Sequence, residues 1–187
     1  MKNHTVIAKR AIHAPRFLNE PIEYNKSFSR GIRISLGEVD MLFISGTASI
    51  DNRGKTYQPG NFLSQAKRTF ANLTGLLNSE GVSWHHVVQT RCYLKDMRYY
   101  PEFNEVRNSF YRKQKLNPFP ASACIEADLC RPDLLVEIEL TAAIKHNCKT
   151  TNLRNFHSKS STNIFAKQKT AYLNSRTVPP RRYVGQK

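Results

Sequence analysis

Two glutamates alternate with apolar residues between Leu134 and Ile144, in a segment that otherwise has the composition of a central β-strand. Because strand side chains point to opposite faces with a period of two, Glu137 and Glu139 should share one face. A carboxylate in the middle of a sheet is costly unless it is paired or lines a wet cleft, where it can act as a general acid or base. The pattern therefore predicts either a half-solvated strand with two surface glutamates or a strand that carries a catalytic carboxylate.

The surrounding sequence predicts the elements that position this segment. Apolar periodicity and turn residues indicate the order β-β-α-β-α-β-β, with strands at 28–36, 41–45, 87–94, 121–129 and 134–144 and helices at 62–79 and about 99–113. This order predicts an α+β domain in which two helices cover one face of a mixed sheet. The other face must be buried as well, and oligomerisation is the easiest way to bury it.

Charge and composition divide the chain into three parts. Residues 1–27 are interrupted by prolines, which predicts an irregular lead-in to a domain at 28–145. Residues 146–187 hold nine of the 29 lysines and arginines and none of the 14 aspartates and glutamates. This composition predicts a disordered basic tail that orders on a partner. Four aromatic residues interleave with its cations, a combination that suits RNA: Phe156, Phe165, Tyr172 and Tyr183.

Several classes of protein are excluded by what the sequence lacks. It has no run of eighteen apolar residues and no secretory apolar core near the N-terminus, so we expect no membrane association and a cytoplasmic location. Phosphate-loop, dinucleotide, zinc-protease and serine-hydrolase motifs are absent. The cysteines (Cys92, Cys124, Cys130 and Cys148) have no metal-ligand spacing. We therefore expect neither a cofactor nor a metal ion.

Several short segments between residues 28 and 144 together resemble the Rid (YjgF-like, reactive-intermediate deaminase) family. None of them is specific alone, but their order and spacing are: Phe43-Ile44-Ser45-Gly46, Gln65, Asn72-Leu73, Gly81, Tyr93-Leu94-Lys95-Asp96, Asn104, Pro120-Ala121, Cys124 and Val136-Glu137-Ile138-Glu139. The resemblance implies a chorismate-mutase-like fold and a homotrimer with ligand clefts between its subunits.

The same resemblance implies the residues of the cleft. An aromatic side chain is expected at Phe28, backbone contacts at Ser45-Gly46, an amide at Asn104 and a cysteine at Cys124. Glu137 would orient the attacking water, so Glu137 and Cys124 are the implied catalytic residues. No cofactor is implied.

The chain departs from the deaminase pattern at two positions. Active deaminases of this family carry an arginine two residues after the proline, which clamps the substrate carboxylate in a bidentate manner. Ser122 stands there, and a serine cannot supply a charged fork. Phe28 also replaces the usual tyrosine. The resemblance therefore implies a substrate-binding position at Ser122 but not the usual clamp.

Three segments resemble the C-terminal half of the chorismatases, distant members of the same superfamily of about twice this length. These are Phe28-Ser29-Arg30-Gly31, Ser45 to Ile50, and Cys130 to Glu139. A chorismatase needs cationic clamps, and Arg30 and Arg131 could supply them. The alternative is that both arginines are solvent-exposed charges.

Two functions follow from these observations. The first is hydrolysis of a small anionic metabolite in a cleft between subunits, by a deaminase-like or a chorismatase-like reaction. The second is non-catalytic binding of RNA or the ribosome through residues 146–187.

Overall fold

The computed structural model describes residues 7–145, which form a six-stranded sheet and two helices. The strands are β1 (Lys9–Ala11), β2 (Gly31–Leu36), β3 (Val39–Ala48), β4 (Val87–Leu94), β5 (Ala121–Glu126) and β6 (Val136–Lys145). The helices are α1 (Phe62–Ser79) and α2 (Tyr100–Lys113), with short 3-10 turns at Pro21–Tyr24, Trp84–His86 and Met97–Tyr99. The strand order is β1-β2-β3-β6-β4-β5, and only the β4–β5 pair is parallel. The predicted α+β fold is confirmed.

Helix α1 spans the residues that the sequence predicts, because a residue that favours a helix terminus stands at each end. The Asn61 side chain accepts a hydrogen bond from the Ser64 backbone N–H at 2.9 Å, which satisfies one free donor of the first turn. After the helix, Gly81 adopts a φ of 68°, the left-handed conformation that ends many helices and that glycine adopts without strain. The buried face of α1 contains Phe70 and Leu73, as its periodicity predicts.

Two buried amides of α1 hold the ends of strands. Gln65 donates to the Asp133 carbonyl at 2.8 Å and accepts from the Leu135 backbone N–H at 2.9 Å, so it fixes the approach to β6. Asn72 donates to the carbonyls of Ala48 and Ile50 at 2.9 Å each, just beyond β3. These bonds connect α1 to backbone groups at the ends of two strands and satisfy buried polar atoms.

Both helices pack on one face of the sheet around an aromatic cluster. Phe70 of α1 stacks on Phe110 of α2 with ring centroids 4.6 Å apart, and Trp84 meets Phe110 edge-on at 5.0 Å. Such pairs add about 0.5–1.5 kcal/mol each to the free energy of area burial. The cluster fixes the position of α2 relative to the sheet.

The two faces of the sheet differ in burial. On β6, Val136, Ile138 and Leu140 are at most 3% exposed beneath the helices, while the glutamates between them point to the opposite face. Apolar side chains on that opposite face stay 41–52% exposed: Leu36, Val39, Phe43 and Ile125. We call it the open face. The predicted sharing of one face by the two glutamates is confirmed.

The structure differs from the predicted elements mainly at the N-terminal end. The lead-in contributes β1, which pairs with β2, and it buries Ile12 and Leu18 completely. A three-residue strand is too short to produce a periodic signal, which is why the sequence does not reveal it. At the other end, β5 stops at Glu126 rather than at residue 129.

Two further expectations concern the chain beyond this sheet. No helix within residues 7–145 is long and apolar enough to cross a membrane. The predicted basic tail, residues 146–187, lies outside the described residues.

Candidate functional site

Glu137 lies on the open face at the centre of the sheet, where β6 pairs with β3 and β4. Its register partners are Ala48 and Tyr93. The carboxylate lies against Gly46, where any Cβ would overlap Oε1 of Glu137. Glycine is therefore required at position 46 by the close approach of the carboxylate.

A bulge in β3 creates this close approach. The register of β3 against β6 shifts between Ile44 and Thr47, so Ser45 and Gly46 leave the regular ladder. The Ser45 backbone N–H donates to the Arg30 carbonyl at 3.0 Å, and the Ser45 hydroxyl donates to the Ser29 carbonyl at 2.7 Å.

These two bonds place the segment that carries Phe28 beside the bulge. The Phe28 ring is 46% exposed. Four predicted site residues thus belong to one group, which we call the Glu137 group: Phe28, Ser45, Gly46 and Glu137.

Glu137 and Glu139 differ in their partners although they share a face. Glu139 accepts hydrogen bonds from Arg91 Nη1 at 2.7 Å and from the Tyr93 hydroxyl at 3.1 Å. Within residues 7–145, the Glu137 carboxylate has no hydrogen-bond donor or cation. Burial, and secondarily the charge of Glu139, raises the pKa of Glu137. Glu139 is therefore paired with neighbouring side chains, whereas the Glu137 carboxylate has no partner among residues 7–145 and has a raised pKa.

A second set of predicted residues lies on the helix-covered face near β5. Ser122 is in register with Thr90, whose hydroxyl donates to Ser122 Oγ at 3.1 Å, and Cys124 is in register with Cys92. Asn104 of α2 lies above them and is linked to Ser122 through the side chain of Arg107. We call Asn104, Arg107, Ser122 and Cys124 the β5 cluster.

The cysteines of this region are in the thiol form at neutral pH. Burial raises the pKa of Cys124, and the nearby Arg107 opposes that rise. Burial, and then the charge of Cys124, raises the pKa of Cys92 to about 11. Since the thiolate is the nucleophile, neither side chain is set up for covalent catalysis.

The Glu137 group and the β5 cluster do not meet within one chain. Cys92 is in register with both Cys124 and Ile138, so all three point towards the helices. Glu137 is the neighbour of Ile138 and points away from them. The residues predicted to form one site therefore lie on opposite sides of the sheet.

Arg30 is not the solvent-exposed charge that was the alternative to a ligand clamp, and a ligand contact by Arg30 stays a prediction. Arg30 is only 4% exposed, and it donates to the Asn19 carbonyl at 2.9 Å from Nε and 2.6 Å from Nη2. Its guanidinium also lies 5.6 Å from the centroid of the Phe28 ring. Arg30 thus anchors the lead-in to the sheet.

Arg131 lies close to the same region. Its Nη1 donates to the Gly54 carbonyl at 2.6 Å. Burial, and to a smaller extent the charge of Arg131, lowers the pKa of Arg30, opposed by nearby acidic groups. A ligand contact by Arg131 stays a prediction.

Arg107 is the site residue that sequence reasoning missed. The available signal was its position three residues after Asn104 on a predicted helix, which places both side chains on one face. The second signal was the serine at position 122, an uncharged residue where the family pattern has an arginine. Among residues 7–145, no group of three or more histidine, cysteine or acidic side chains is arranged to hold a metal ion.

Comparison with known proteins agrees with this architecture. Residues 19–144 match the model of the family described as Endoribonuclease L-PSP. A RutC family protein of Synechocystis is 32% identical over 55% of this chain and 78% of its own length. The 3-aminoacrylate deaminase RutC of Acinetobacter baylyi is 24% identical over 56% of this chain and 80% of its own.

Solved structures show the same fold. The YjgF gene product of E. coli superimposes with a TM-score of 0.60 at 20% identity, covering 71% of this chain and 97% of that one. The predicted YjgF-like fold and Rid resemblance are thereby confirmed. The chain belongs to the Endoribonuclease L-PSP family, which includes the YjgF-like and RutC proteins.

Proposed function

We propose that this protein is a hydrolase that releases ammonia from a small imine or enamine carboxylate, in a cleft assembled from two copies of the chain. The observation that carries the proposal is Glu137, a half-buried carboxylate that has no partner within residues 7–145 and lies over a glycine on an open sheet face. Leaving such a carboxylate unpaired costs free energy, and a catalytic role explains why that cost is tolerated.

The raised pKa of Glu137 suits a general base. Water adds to the imine carbon, a C–O bond forms, and Glu137 takes the proton that the water loses. The electrons of the C=N double bond move to nitrogen, which is protonated from solvent. An enamine first takes up a proton on carbon and loses one from nitrogen, which gives the same imine. Groups with a pKa closer to neutrality transfer protons most effectively at neutral pH.

The second half of the reaction returns the proton. The carbinolamine loses its hydroxyl proton to solvent, the C–N bond breaks, and protonated Glu137 gives its proton to the departing nitrogen. The products are a carbonyl compound and ammonia, and the carboxylate is regenerated. The relative named 3-aminoacrylate deaminase supports this class of reaction, since its named substrate is an enamine carboxylate.

Exposed apolar side chains on the open face support the assembly of copies that this proposal requires. The open face carries exposed apolar side chains beside the Glu137 group, including Phe43 and Ile125. A second copy that covers this face with its own β5 edge would bring its β5 cluster to Glu137 and bury those side chains. The homotrimer implied by the resemblance supplies such contacts.

The chorismatase-like alternative has less support. It needs free cations around the substrate, and Arg30 is committed to Asn19. The RNA- or ribosome-binding alternative rests on residues 146–187, which lie outside the described residues, so it stays a prediction. The description of the family as an endoribonuclease is compatible with it.

The test is a direct assay with purified protein. Ammonia release would be followed from freshly generated 2-aminoacrylate and 3-aminoacrylate, against the uncatalysed rate, and pyruvate release from chorismate in parallel. Glu137→Gln should lower ammonia release by about 100-fold or more. Glu139→Gln is the matched control and should keep most activity at neutral pH. Equal rates for wild type and Glu137→Gln would refute the proposal, and release of pyruvate from chorismate would favour the alternative.

A further inference from the structure

Arg107 carries a guanidinium that has no acidic partner among residues 7–145, although it lies half-buried between α2 and β5. Several other arginines near the sheet have acidic partners, as Arg91 has Glu139 and Arg33 has Asp40. A partly desolvated cation without an anion is costly, and a ligand anion would offset that cost.

The guanidinium is held in one orientation by neutral groups. Nη1 donates to Ser122 Oγ at 3.2 Å, and Nη2 donates to Asn104 Oδ1. The Phe103 ring lies 5.3 Å from the guanidinium carbon and supports it through a cation–π contact. A guanidinium has five N–H donors and these two bonds use two of them, so a planar fork remains for a ligand.

The guanidinium lies beside Ser122, one of the two positions at which the chain departs from the deaminase pattern. The side chain of Ser122 is short, and its hydroxyl accepts a hydrogen bond from Arg107 Nη1. The cation is also close enough to Cys124 to oppose the effect of burial on that thiol. Arg107 of α2 therefore places a positive charge beside Ser122, the position on β5 that lacks one.

We propose that Arg107 binds the carboxylate of the substrate, taking over the clamp that residue 122 does not provide. This inference rests on the proposed function and names the residue that binds the carboxylate of its substrate. Asn104 and Ser122 act as positioning residues for the guanidinium. An uncharged imine or enamine would be a poor substrate.

Direct binding tests this inference without requiring catalysis. Pyruvate serves as the probe and its uncharged methyl ester as the comparison, with binding to the full-length protein measured by ligand-observed NMR and calorimetry. Arg107→Met should weaken pyruvate binding by roughly ten- to hundredfold and leave methyl pyruvate unchanged. Arg107→Lys should recover only part of the loss because an ammonium lacks the fork. Arg112→Met removes an exposed charge from the same helix and should bind like wild type.

A positional swap covers the case in which Arg107→Met does not fold. The double variant Arg107→Ser with Ser122→Arg returns a guanidinium to the same place from β5, and it should bind pyruvate within a few-fold of wild type. Glu137→Gln should bind pyruvate normally. This separates the two proposals, because unchanged ammonia release in Glu137→Gln would overturn the reaction and leave the clamp standing, whereas unchanged pyruvate binding in Arg107→Met would overturn the clamp and leave the reaction standing.

Three results would overturn the clamp. The first is no saturable pyruvate binding by wild-type protein. The second is equal pyruvate binding by wild type and Arg107→Met, or by wild type and Arg107→Lys. The third is an equal loss of methyl pyruvate binding in Arg107→Met, which would indicate general damage to the site.

Discussion

The carboxylate of Glu137 lies directly against the backbone of Gly46, in the bulge that interrupts the pairing of β3 with β6. Ser45, in the same bulge, is tied to the segment Ser29-Arg30 by two hydrogen bonds. The position of Glu137 is therefore set by the bulge, and through it by the N-terminal part of the domain.

A methyl group at residue 46 should displace the carboxylate of Glu137 without removing it. In Gly46→Ala the new Cβ overlaps Oε1, so the carboxylate must rotate away from the bulge. We expect kcat for ammonia release to fall at least tenfold, since misplacing a reacting group by about 1 Å can cost about 100-fold. Steady-state kinetics and a thermal unfolding curve would measure both effects.

The control for this prediction is the double variant. If Gly46→Ala acts through the carboxylate, it should add little further loss in a Glu137→Gln background. Full additivity of the two losses would instead place the effect of Gly46→Ala elsewhere in the sheet.

The pH dependence of activity should report the raised pKa of Glu137. A general base works when it is deprotonated, so activity should decline on the acid side at a higher pH than for an ordinary glutamate. Burial is the larger cause of the raised pKa of Glu137, and it persists in Glu139→Gln. That variant removes the second cause, the negative charge of Glu139. Its acid limb should shift to lower pH in profiles of kcat/KM, and an unchanged limb would assign the titration to another group.

The buried ion pairs of Arg33 with Asp40 and Glu80 should contribute strongly to the free energy of unfolding. Arg33 donates to Asp40 Oδ2 from Nη2 at 2.5 Å and to Glu80 Oε2 from Nη1 at 3.0 Å, and both carboxylates are at most 5% exposed. Arg33→Met leaves buried charge without its main partner and should lower the free energy of unfolding by about 3–5 kcal/mol.

Arg10 provides the matched control for the network. It also pairs with Glu80, but its own side chain is 57% exposed. Arg10→Met should cost less than about 1 kcal/mol. Urea denaturation of both variants at neutral pH would measure the difference, and equal losses would show that burial does not decide the strength of these pairs.

Residues 146–187 carry the RNA-binding hypothesis. Deleting them removes nine cations and no acids. If the hypothesis holds, full-length protein should bind single-stranded RNA with strong salt dependence and the truncated protein should not. Ammonia release should be the same for both proteins. Binding retained after truncation would move the RNA contact to residues 1–145.

Local sequence patterns were sufficient for most of the fold. The helical spacing of Phe70 and Leu73, with Asn61 and Gly81 at the two ends, predicted α1 because these signals act within a few residues. The alternation around Glu137 predicted β6 and its two faces for the same reason. In contrast, β1 is held by pairing with a distant strand, and three residues carry no periodicity.

The chemistry of the arginines could not be predicted in the same way. Arg30 and Arg107 are both basic residues near predicted site segments, but the sequence motifs singled out only Arg30, as either a clamp or a solvent-exposed charge. The structure buries Arg30 against the Asn19 carbonyl and leaves Arg107 beside Ser122 with donors to spare. Each outcome depends on contacts between segments that are 11 or 15 residues apart.

The order of the elements, the face that carries Glu137 and the family resemblance could all be read from local patterns, because periodicity and motif spacing are properties of neighbouring residues. Which charges are paired and which residues meet depends instead on tertiary contacts. Pairing across the sheet separates Glu137 from Cys124, since adjacent residues of a strand point to opposite faces. The packing of α2 over β5 places Arg107 where Ser122 lacks a charge. The first relationship depends on the register of β6 against β4, and the second on the packing of α2 over β5; neither is a property of neighbouring residues.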